Sequence, residues 1–120
     1  MNINLLIILF LSLPLLSFCQ ENEQKESYFI ALYTVGENWD STKQPGEQTY
    51  FKEHSAHLNQ LRKDSTIAMG ARYDDTGMIL IKATDLDSAK GILQNDLAIE
   101  NKLFNLEIHS FSPFYKGCLE

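Results

Sequence analysis

The run Tyr28 to Val35 (Tyr-Phe-Ile-Ala-Leu-Tyr-Thr-Val) carries aromatic and branched residues on both of its alternations. A strand with one apolar face can lie at a protein surface, but one that is apolar on both faces must be covered from both sides. This segment therefore predicts a layered fold with Tyr28–Val35 as a central strand, ended by Gly36. Residues 36–46 follow as a polar loop closed by the Pro45-Gly46 turn. Trp39 is the large apolar residue of that loop, and it fits either a packing anchor or a lid over a pocket.

The rest of the chain supplies the other elements. Glu47 to Lys63 predicts an amphipathic helix, with Phe51, His54, Leu58 and Leu61 on one line and Tyr50 and His57 beside it. Thr66–Tyr73 and Met78–Ala83 read as strands joined by the turn Asp74-Asp75-Thr76-Gly77, a hairpin signal. Thr84 to Ala89 opens a second helix, its oxygen-bearing side chains available as caps and Leu86, Ala89, Ile92 and Leu93 forming the buried face. Residues 94–102 read as a polar join. In the last strand, Leu103–Phe111, Phe104, Leu106 and Ile108 alternate with Asn105, Glu107 and His109. The order strand, helix, strand, strand, helix, strand predicts an α+β, ferredoxin-like βαββαβ domain. Its four-stranded antiparallel sheet carries both helices on one face. Because the first strand is apolar on both sides, the open sheet face needs a cover. A second copy supplies it by isologous contact, so the expected assembly is a homodimer.

Domain organisation follows from the first third of the chain. Residues 2–19 hold no charged side chain, and Leu5–Leu16 is almost purely aliphatic. That run is shorter than the roughly 20 residues a membrane span needs and has the length of a signal-peptide core. The expected division is a signal peptide over 1–19, a linker over 20–27 and one domain over 28–116. The mature chain is then exported to the periplasm or outside the cell, with no membrane span. Cys19 keeps open a lipoprotein anchored through that thiol. Cleavage leaves Cys118 as the one cysteine, so the core and not a disulfide must hold the domain. The net charge is −6 and the ten Lys and Arg are scattered apart from Arg62-Lys63, which argues against nucleic-acid binding.

Chemistry points to the histidine helix. An imidazole turned toward a core loses water, at a cost of about 1–3 kcal/mol unless a partner replaces it. It is also the side chain whose charge changes most readily near neutral pH. His54 and His57 lie three apart, but Glu53 precedes both instead of standing between them, and no cysteine is near; a metal site is not expected. No glycine-rich phosphate loop or nucleophile elbow is present, and no cofactor is called for. Arg72, on an otherwise apolar strand, either binds an anionic group of a ligand or pairs with Asp74, Asp75 or Glu107.

Four stretches taken together resemble the YCII-related domain family: His57-Leu58-Asn59-Gln60-Leu61, Met69 to Gly77, Ala83 to Ala89, and Asn95-Asp96. The resemblance spans roughly residues 28–115. It implies a small ferredoxin-like dimer of the dimeric α/β-barrel type, with a histidine–aspartate pair in a pocket between helix and sheet. A few relatives act on small ring compounds, for example by dehydrochlorination. Residue by residue, the family's helix histidine falls on His57 and its aspartate on Asp96, although Leu97 stands where the family usually has proline. The expectation is a small-molecule enzyme with His57 as general base and Asp96 orienting it, in lyase-type chemistry. Arg72, Asp75 and His54 are the expected substrate contacts. The alternative is a non-catalytic module that binds a small ligand or a partner in the same cleft.

Overall fold

A computed structural model describes residues 25–115 and 117. The expected signal segment, residues 20–24 of the linker, and Cys118 lie outside the described residues. Strand β1 (Ser27–Val35) is followed by a single 3-10 turn (Pro45–Glu47), helix α1 (Phe51–Lys63), and strands β2 (Ile67–Tyr73) and β3 (Thr76–Ala83). Helices α2 (Leu86–Gln94) and α3 (Leu97–Glu100) precede the last strand, β4 (Phe104–Phe111). The four strands form one antiparallel sheet in the order β2-β3-β1-β4. This is the ferredoxin-like arrangement, with β1 between β3 and β4 as its two-sided composition requires.

The core lies where the sheet meets the helices. Phe29, Ala31 and Tyr33 of β1 point to that side, next to Ile79 and Ile81 of β3, and Ala89 and Leu93 of α2 close over them. Asp85 caps α2, its carboxylate accepting the Ser88 N–H at 2.7 Å. Ile30 and Leu32 of β1 face the other side of the sheet and are half-buried.

Three local readings change. Helix α1 starts at Phe51, not Glu47, because the 3-10 turn ends first and Tyr50 takes a left-handed conformation (φ 70°) that no helix can continue through. The hairpin turn shortens to Asp74-Asp75, with Asp74 left-handed at φ 47°, so Thr76 and Gly77 belong to β3. Residues 94–102 are not a polar join. They contain α3, with Ala98 fully buried. Gly36 at the end of β1 is required by close approach: a Cβ there would collide with the Lys102 carbonyl. Its N–H donates to the Leu103 carbonyl at 2.8 Å, tying the 36–46 loop to the start of β4.

Candidate functional site

Helix α1 has one buried residue, His54, 8 % exposed and on the same line as Phe51, Leu58 and Leu61. Its partner stands 42 residues further along the chain. Asp96 stands between α2 and α3, and its side chain is fully buried. One carboxylate oxygen, Oδ1, accepts the Ala98 N–H at 2.9 Å and so caps α3. The other, Oδ2, accepts the His54 Nδ1–H at 2.6 Å. Asp96 thus orders its own turn and holds the imidazole at once.

Electrostatics fix the chemistry of the pair. Burial pushes the Asp96 carboxyl up, but the hydrogen bonds from His54 and Ala98, helped by the charges of His54 and His57, outweigh it. The carboxyl is held below its ordinary value. Asp96 is therefore an acceptor at neutral pH, and His54 must carry its proton on Nδ1. In the neutral ring Nε2 is then a free lone pair, and among the described residues it has no hydrogen-bond partner. That is the arrangement of a general base.

The expectation placed His57 in this role, and here the geometry differs. His57 lies about 60° around the helix from His54. It makes no hydrogen bond to Asp96, and its Nε2 is sealed from solvent without a partner. The histidine–aspartate pair exists, but its imidazole is His54. His57 adds a Coulombic pull on Asp96 and nothing closer.

His54 lines a cavity of about 660 Å³ between α1 and the sheet. Rings form much of its wall. Phe104 packs 4.7 Å from the His54 ring and 5.6 Å from Trp39, while Tyr33 meets His54 edge-on at 5.3 Å. Trp39 is consequently both anchored and part of the cavity wall. The loop that carries it is clamped by buried Gln48, which donates to the Asp40 carbonyl at 2.6 Å and accepts the Asp40 N–H at 2.9 Å. The Tyr33 hydroxyl is buried and unpartnered; burial first, and the Asp96 charge second, raise its pKa, so it stays protonated.

Of the expected ligand contacts, Arg72, Asp75 and His54 all line this cavity. Arg72 reaches it through a β-bulge. Ile67 pairs with Ile81 but Met69 pairs with Leu80, so Ala68 is an extra residue in β2. The bulge resets the alternation, and Gly70 and Arg72 join Ile67 on the helix-covered face. In an unbroken strand from Ile67, Ala71 and Tyr73 would point inward instead. The expected alternative of an ion pair does not form: among the described residues Arg72 has no salt bridge to Asp74, Asp75 or Glu107.

No three of the described His, Cys, Asp and Glu residues come together as a metal site, and no described helix is long and apolar enough to cross a membrane. No protein-family model, curated protein or solved structure matches this chain.

Proposed function

We propose that the protein is an exported, YCII-like small-molecule enzyme in which His54, oriented by Asp96, acts as general base in lyase-type chemistry. The observation that carries this reading is the 2.6 Å contact from His54 Nδ1 to a fully buried carboxylate at the wall of a cavity of about 660 Å³. That volume is in the range of small-molecule sites, roughly 300–1,000 Å³. In an elimination, His54 Nε2 takes a proton from a substrate carbon. The C–H electron pair becomes the new double bond, and the group on the adjacent carbon leaves with its own bonding pair. Asp96 offsets the positive charge the ring acquires and keeps Nε2 aimed at the cavity. A positioned base of this kind contributes about 10²–10⁴-fold in rate.

A panel of halogenated or hydroxylated small ring acids, followed by halide release or by absorbance of the new double bond, tests the reading. Turnover should fall about 10²–10⁴-fold in His54→Gln and much less in His57→Gln. Equal loss in both variants, or none in His54→Gln, contradicts it. Ligand binding without turnover anywhere in the panel favours the non-catalytic module. The homodimer belongs to the same proposal. It is supported by the open sheet face, where Ile30, Leu32, Met69, Met78 and Leu80 present half-buried apolar side chains and Tyr73 is 51 % exposed. Light scattering of the chain at micromolar concentration tests it, and a monomer counts against it.

A further inference from the structure

The geometry points to a specific ligand class for this cavity: a small organic acid with one carboxylate on a flat apolar body, the carboxylate read by Arg72. This assignment rests on the cavity being a small-molecule site, as proposed above, and adds what that site selects.

Three observations carry it. The first is Arg72, an exposed residue that the bulge places on the helix-covered face, where it lines the cavity and has no ion pair or side-chain hydrogen bond among the described residues. Its planar fork of donors matches a carboxylate in two parallel hydrogen bonds. The second is the cavity floor. Gly70 and Gly77 lie on the helix-covered face, Gly70 opposite Ile79 and Gly77 opposite both Arg72 and Tyr33. Glycine inside a strand costs about 0.5–1 kcal/mol against alanine, so its presence needs a reason. Neither backbone takes a positive φ, and a Cβ at either would meet its nearest neighbour at 3.8 Å (Gly70) or 3.7 Å (Gly77), an ordinary contact. Conformation and close packing are thus both excluded. What the two glycines provide is the hollow itself, a smooth floor beside the guanidinium.

The third observation is the balance of the walls. Trp39, Phe51 and Phe104 give flat apolar surfaces suited to stacking on an unsaturated or ring body. Asp75 also lines the cavity, and the chain as a whole carries −6. A ligand with a second negative charge would meet the Asp75 carboxylate and the field of the protein, so one carboxylate is favoured over two.

Trp39 is the single tryptophan of the chain, so its fluorescence reports occupancy of this cavity alone. The full chain is titrated with benzoate, with neutral benzamide of the same shape, and with the dianion phthalate. Benzoate should bind about tenfold more tightly than either. Arg72→Gln should erase that preference, and Arg72→Lys, which keeps the charge without the fork, should retain part of it. Gly77→Val should weaken benzoate and benzamide alike by filling the floor. Equal affinity for benzoate and benzamide in the native chain, or an unchanged preference in Arg72→Gln, overturns the carboxylate assignment while leaving the cavity a small-molecule site. Phthalate binding as well as benzoate overturns the restriction to one charge. Silence of Trp39 toward all three probes removes both the ligand class and the cavity reading beneath it.

Discussion

The helix-covered side of the sheet has two halves that follow opposite rules. Under α2 it is closed: Ala89 and Leu93 are completely buried on Phe29, Ala31 and Ile81, with small residues letting helix and strands meet. Under α1 it is hollow: the one buried helix residue is a histidine, the strands below offer Gly70 and Gly77, and a cavity remains between them. Apolar burial stabilises the first half. The second half gives up that burial and gains a hydrogen-bonded histidine–aspartate pair whose carboxylate comes from a segment 42 residues away in sequence. The elements under α2 close the core and specify the fold, while those under α1 enclose a cavity.

The comparison can be broken by substitution. The largest effect is expected for Asp96→Ala, which strips the α3 cap and leaves His54 buried beside no acceptor. A loss of about 3–5 kcal/mol in chemical denaturation is predicted, and a loss under 1 kcal/mol would mean the pair is not held as described. Asp96→Asn has one oxygen left to cap α3 and presents an NH2 donor to His54 Nδ1, so it should cost less than Asp96→Ala, and its cost should depend on pH. The folded-state value of Asp96 lies below its unfolded value of 3.8. The stability it contributes is therefore fully present above that value and is lost as pH falls through the lower folded value. The gap between native chain and Asp96→Asn should close on acidification. A gap that widens contradicts the assignment.

A matched pair of leucines sharpens the contrast between the halves. Leu93→Ala in the closed half should cost about 3 kcal/mol, because a fully buried side chain leaves a cavity behind. Leu58→Ala, at the wall of the existing cavity, should cost about 1 kcal/mol, since that side chain is only half-buried and already borders open space. Equal costs would erase the distinction. The smallest effect belongs to Gly77→Ala, which finds room for its methyl and should shift stability by less than about 1 kcal/mol in either direction. A large loss there would show that the glycine serves the backbone instead of the hollow.

Much of this was legible from residue patterns. The two-sided strand β1, the hairpin and the Asp85 cap each leave a local signature in composition or spacing, and together they prescribe the sheet. Helix α3 left none, because four residues are too few for a period to register, and its stability comes from Asp96 and buried Ala98. The site was half legible. The stripe Phe51–His54–Leu58–Leu61 already placed His54 on the inward face, whereas the family resemblance pointed to His57, one turn on and off the stripe. Helical phase was the better guide to geometry than motif position. The link from His54 to Asp96 spans 42 residues, and no local pattern encodes a contact of that range. The inward turn of Arg72 depends on a single extra residue in β2, which strict alternation cannot foresee.

The proposed chemistry depends on Asp96 fixing the proton of His54 on Nδ1 and leaving Nε2 free for a guest in the cavity. Long-range 1H–15N correlation spectra of the histidine side chains, recorded at mildly alkaline pH, read the tautomer of each ring directly. His54 is expected as the Nδ1–H tautomer, mixing toward the other form in Asp96→Asn while His57 stays as it was. His54 found as the Nε2–H tautomer, or indifferent to Asp96→Asn, would contradict it.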